Sequence, residues 1–70
     1  MRVQDVVELV ENYTGQKVQP ETGISDLGLD SLDFLDLILR ISAHCGNIPD
    51  EVVPRIETVN DLYLAANGRL

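Results

Sequence analysis

Seventy residues leave room for one domain with a modest core, and a chain this short usually leans on disulfides or a metal. A single cysteine, and no grouping of His, Cys and carboxylates at ligand spacing, exclude both, so helix packing must supply the stability. Twelve acids against five bases, a formal net charge of −7, argue against nucleic acid and anionic membrane surfaces and favour partners with basic docking faces.

That charge also has a plainer reading, as the solubility of a small protein. No stretch approaches the ~20 apolar residues that span a bilayer, so no membrane insertion is expected. The opening residues Met1 to Asp5 meet acids at once and carry no apolar run, unlike a secretory signal. The expectation is a monomeric, cytoplasmic protein with residues 1–70 as one domain, a setting in which one unpaired cysteine also fits.

The first element is a helix. Val3, Val6, Val7, Val10 and Tyr13 fall at spacings of three and four, with Asp5, Glu8 and Glu11 turned to water and Gly15 as the stop. Valine is a weak helix former, so this helix depends on packing. From Gln16 to Leu29 no period holds, and Pro20, Gly23 and Gly28 mark a long loop. Loops of that length in small domains are functional or pinned by their own side chains, here Val18, Ile24, Leu27 and Leu29.

Ser31 to Cys45 reads as a second helix, apolar around most of its circumference. Asp33, Asp36, Arg40 and His44 form one narrow polar stripe, so this helix is expected at the centre of the fold, covered from several sides. Gly46-Asn47 ends it. Asp50 to Ile56 suits a short helical turn after Pro49, made irregular by Pro54. Thr58 is placed to cap a last helix, with Asp61 completing the box, and Val59, Leu62, Tyr63 and Ala66 as its packing face before Gly68. The expected fold is all-α: a small antiparallel bundle of three main helices plus one short one.

The chemistry concentrates around Asp26-Leu27-Gly28-Leu29-Asp30-Ser31-Leu32-Asp33. A loop that delivers its last residue onto a helix start leaves backbone N–H groups unpaired, and these, with the partial positive charge there, favour an anion. A phosphodiester on Ser31 would sit at that position, with Gly28 and Asp30 letting the loop turn and expose the hydroxyl. The purely structural alternative has Asp30 or Ser31 capping the helix and Asp33 completing the box; capping by Asp30 and modification of Ser31 are compatible.

Catalysis by Ser31 is excluded by distance. The only histidine, His44, lies thirteen residues along the same helix, roughly 20 Å away at ~1.5 Å per residue, and Cys45 is as remote. A calcium site at Asp26, Asp30 and Asp33 fails on spacing and on the apolar residues between them.

The octapeptide resembles the attachment motif of the acyl carrier protein family, in which the serine after the aspartate carries phosphopantetheine. Resemblance continues through Ile48-Pro49-Asp50-Glu51 and Ile56-Glu57-Thr58-Val59 and covers about Val3 to Ala66. It implies a carrier and not an enzyme. A phosphopantetheinyl transferase would move 4′-phosphopantetheine from coenzyme A to Ser31, with Asp30 and Leu32 beside it, and the arm would hold acyl groups as thioesters. It also implies partner docking, on acyl-transferring, ligase or synthase enzymes, through Asp33, Leu35, Asp36, Leu39, Arg40, Asp50, Glu51 and Glu57. Leu32, Leu35 and Leu39 run away from the serine at spacings of three and four; such residues line a groove, meet partners or belong to the core.

The chain also departs from the family's pattern. Ser42, Ala43 and His44 stand where a run of glutamates is usual, preceded by Arg40, which would repel a basic face meant for other carriers. Gly23 replaces the aromatic before D-L-G, with Ile24 filling the gap, and the connection before Ile48 is one residue short. These changes point to a dedicated polyketide, specialised fatty acid or secondary-metabolite pathway. The alternatives are an aminoacyl or peptidyl carrier, which more often resembles L-G-G-x-S, and an unmodified acidic helical interaction module.

Overall fold

The computed structural model describes residues 2–45 and 48–70. Three α-helices form its body: α1 Val3–Thr14, α2 Ser31–Cys45 and α3 Val59–Ala66, with 3₁₀ turns at Ile24–Leu27 and Asp50–Arg55. The expected all-α bundle of three main helices and a short one is what the chain adopts. The stop assigned to Gly46-Asn47 lies outside the described residues. No helix among those residues is long and apolar enough to cross a membrane.

Each α-helix contributes two fully buried side chains, Val6 and Val10 from α1, Leu37 and Ile41 from α2, Val59 and Leu62 from α3. Within each pair the spacing is three or four, so each helix turns one stripe inward. Full burial of such a side chain stabilises by about 1.5–3 kcal/mol relative to exposure, which offsets the weak propensity of valine-rich α1. That helix ends at Gly15, whose φ of +71° closes a hydrogen bond from its N–H to the Glu11 carbonyl at 2.8 Å.

The segment before α2 is more ordered than the broken period suggested. Val18, Ile24 and Leu27 are buried, and Ile24–Leu27 closes a 3₁₀ turn. Polar contacts fix the rest. The Glu11 carboxylate accepts from the Val18 N–H at 3.1 Å, and the Gln16 amide donates to the Leu27 carbonyl at 3.2 Å. The same segment is stitched to the start of α3: Ile24 N–H donates to Glu57 O (2.8 Å), Val59 N–H to Thr22 O (3.0 Å) and Asn60 N–H to Pro20 O (2.7 Å).

Those bonds complete the N-terminus of α3. Its first two N–H groups find the loop carbonyls, and the third, from Asp61, finds the Thr58 hydroxyl at 3.2 Å. The Asp61 carboxylate returns two bonds, accepting from the N–H groups of Glu57 (2.9 Å) and Thr58 (3.1 Å). The capping box read from Thr58 and Asp61 is present, and no orphan donor remains there. Ala65 joins Val59 and Leu62 in the core, while Tyr63 and Ala66 are half-buried.

The expectation that α2 is covered from several sides is overturned. Leu37, Ile38 and Ile41 face the core, but Leu32, Leu35 and Leu39 are 76%, 49% and 68% exposed. In so small a bundle, α1 and α3 cover one side of α2 only. The outward side therefore combines an apolar stripe with the polar one.

Candidate functional site

The site is built by the junction of loop and helix. Gly28, at φ +72°, ends the 3₁₀ turn in a conformation that costs a residue with a Cβ about 1–2 kcal/mol. Leu29 and Asp30 follow, and α2 begins at Ser31. The Asp30 carboxylate accepts from the Asp33 N–H at 2.8 Å, and its carbonyl accepts from the Phe34 N–H at 2.9 Å. Asp30 is thus the cap. Ser31 is spared that task.

The Ser31 side chain is exposed, and among the described residues its hydroxyl has no hydrogen-bond partner. The N–H groups of Ser31 and Leu32 likewise find no acceptor among those residues, which leaves two donors and the positive end of α2 open beside the hydroxyl. A phosphodiester suits this place: its charge is favoured there, and no packed side chain has to move.

A groove of about 660 Å³ opens beside Ser31. Ile24, Leu29, Phe34, Val53, Pro54 and Ile56 give it apolar walls, and Ser25, Asp30 and Glu57 its polar groups. Its size falls in the range of small-molecule sites, roughly 300–1,000 Å³. Sequence reasoning assigned Ser31, Asp30 and Glu57 to function, and the fold gathers all three here. It missed Val53 and Pro54, whose irregular segment carries no period, and Phe34, which belongs as much to the core as to the groove.

The other assigned residues lie elsewhere on the surface. Leu32, Asp33, Leu35, Asp36, Leu39 and Arg40 are exposed along α2, and Asp50 and Glu51 are exposed at the start of the Asp50–Arg55 turn. Asp36 is engaged: its carboxylate accepts from the Tyr13 hydroxyl at 3.0 Å and from Arg40 Nε at 3.4 Å. The Arg40 guanidinium lies 5.1 Å from the centre of the Tyr13 ring, which closes a three-residue contact between α1 and α2. Partial burial, and then the bond to Asp36, push the Tyr13 hydroxyl above the usual phenol pKa.

Comparison with known proteins agrees with this geometry. The family described as "Phosphopantetheine attachment site" matches residues 2–65. The acyl carrier protein of Bdellovibrio bacteriovorus is 33% identical over 72 aligned positions, covering 97% of this chain and 92% of that one. The acyl carrier protein of Thermosynechococcus vestitus is 37% identical over 57 positions, 79% of this chain and 70% of its own. The mitochondrial acyl carrier protein of Dictyostelium discoideum is 39% identical over 56 positions and 79% of this chain, which spans about half of that relative's length (47%). No solved structure gives a significant match.

Proposed function

The chain belongs to the acyl carrier protein family, a carrier of covalent 4′-phosphopantetheine and not a catalyst, and from that premise we propose that Ser31 is the attachment residue. The observation that carries this reading is an exposed hydroxyl at the start of α2 beside two open N–H groups. Ser31 presents its oxygen to the transferase, and the N–H groups of Ser31 and Leu32 hold the negative phosphodiester left on it. When bound, the group supplies the thiol on which cargo rides. The apolar walls of Leu29, Phe34, Val53 and Pro54 shelter the start of the arm, and Asp30 keeps the loop in register by capping α2.

Docking uses the outward side of α2 with the following turn: Asp33, Asp36, Asp50, Glu51 and Glu57 for charge, Leu32, Leu35 and Leu39 for apolar contact, and Arg40 for discrimination. Three exposed leucines along the helix that starts at the attachment residue support that use, since exposed apolar area leading from a functional group marks an interaction surface. The pathway is a dedicated one. Arg40, Ser42, Ala43 and His44 take the far half of α2 away from a uniformly acidic surface, which a general fatty-acid synthase would meet less well.

Incubation with coenzyme A and a broad-specificity phosphopantetheinyl transferase, read by intact mass, tests the assignment. Wild type gains one phosphopantetheine and Ser31→Ala none. A wild type that stays unmodified, or an equal gain on Ser31→Ala, overturns it.

A further inference from the structure

The polar stripe of α2 carries Asp33, Asp36, Arg40 and His44, two acids and one cation with the histidine counted as neutral, so its formal net charge is a single negative. Asp33 and Arg40 stand seven residues apart. On a helix that puts them on one side, separated along the axis by about 10 Å at ~1.5 Å per residue. Asp36 lies between them, and its carboxylate is already shared by Tyr13 and Arg40.

The bond from Arg40 to Asp36 runs through Nε alone, and the arginine side chain is 62% exposed. Its two terminal amino groups make no bond to Asp36 and remain available as paired donors, the geometry that matches a carboxylate. An exposed ion pair at this spacing adds little to stability, so its consequence is placement of charge. The Tyr13 ring and hydroxyl fix that placement from a second helix. Leu32, Leu35 and Leu39 run alongside, unpaired.

We propose, resting on the carrier reading above, that this face selects partner enzymes of mixed charge: a cation opposite Asp33 near Ser31, and a carboxylate opposite Arg40 two turns further out. A uniformly basic surface meets attraction at the Ser31 end and repulsion at Arg40, both within the ~8–10 Å over which exposed charges act at physiological salt. Asp36 offsets Arg40 only in part: its Oδ2 is shared by Arg40 and Tyr13, and Oδ1 alone stays open to a partner's cation. Arg40 is therefore a specificity-determining residue that works by disfavouring the wrong partner as well as recognising the right one.

The test uses the loading reaction with a broad transferase whose docking face is basic. Initial rates are measured for wild type, Arg40→Gln and Arg40→Glu at low and high ionic strength, with thermal unfolding of each. At low salt kcat/KM rises about three- to tenfold for Arg40→Glu, with Arg40→Gln between, and the differences collapse near 1 M salt, where screening falls to about 3 Å. Unfolding temperatures fall by only a few degrees, as loss of one exposed pair requires, and the salt-dependent order of the rates is what a merely structural role would not produce.

In a second arm, each basic docking residue of the transferase is changed to Glu in turn. At one position the change speeds loading of wild type and slows loading of Arg40→Glu. Equal rates for all three carriers, or no position with opposite effects, overturns the inference while leaving Ser31 as the attachment residue. If no carrier gains the mass, the carrier reading falls and takes the inference with it.

Discussion

Replacing Thr58 with Ala removes one side-chain acceptor and nothing from the core, so its effect can be worked from the start of α3. The Thr58 hydroxyl holds the Asp61 N–H at 3.2 Å, while the neighbouring Val59 and Asn60 donors are held by loop carbonyls and are unaffected directly. Losing such a cap costs about 1 kcal/mol. Over 70 residues, an unfolding entropy of roughly 2.1 cal/mol/K per residue sums to about 0.15 kcal/mol/K, so Tm falls by about 7 °C. Thr58→Ser keeps the oxygen and should recover most of that. Thermal unfolding by circular dichroism reads both variants under one buffer. A fall below about 2 °C for Ala, or a Ser variant no better than Ala, refutes the assignment of the hydroxyl as the cap.

Two further predictions concern the two sides of α2. Leu37→Ala, in the fully buried row, costs about 2–5 kcal/mol by the usual penalty for a core truncation, against a total of roughly 4–10 kcal/mol for a chain this size, and shows as a large loss in denaturant midpoint. Leu39→Ala, 68% exposed, leaves the midpoint nearly unchanged and slows transfer of cargo to a partner enzyme, read as kcat/KM. The Tyr13 tether gives a pH prediction. Because its folded pKa is raised, its contribution is fully present below the ordinary phenol value and is lost as pH climbs through the raised one. In a Tyr63→Phe background, ultraviolet titration should place the Tyr13 phenolate above the ordinary value, and Asp36→Asn should lower it; no change on that substitution would show that Asp36 does not hold the hydroxyl.

Local signals were legible along the chain because they depend on few neighbours. The i, i+3, i+4 valines and Gly15 bound α1, and Thr58 with Asp61 announced α3. The motif around Ser31 placed the start of α2 at the residue where it occurs. What resisted reading depends on contacts across the chain. A four-residue turn at Ile24–Leu27 is too short to show a period, and its tie to Glu57 joins residues more than thirty apart. Periodicity on a largely apolar helix leaves open whether a leucine lines a groove, meets a partner or joins the core, and the number of covering helices decides it; with two, Leu32, Leu35 and Leu39 stay outside. The union of Tyr13 with Asp36 and Arg40 had no sequence signal, since an aromatic in an apolar stripe gives no hint of where its hydroxyl ends.

The bare leucines also set how the protein behaves in bulk. Around neutral pH, the −7 of the chain sets colloidal repulsion between copies against any pairing of the greasy row on α2. Near the isoelectric point, about pH 4.2, that repulsion vanishes and the same row becomes a self-adhesive strip. Acidification should therefore precipitate the protein through α2, and an Asp in place of Leu39 should keep it in solution.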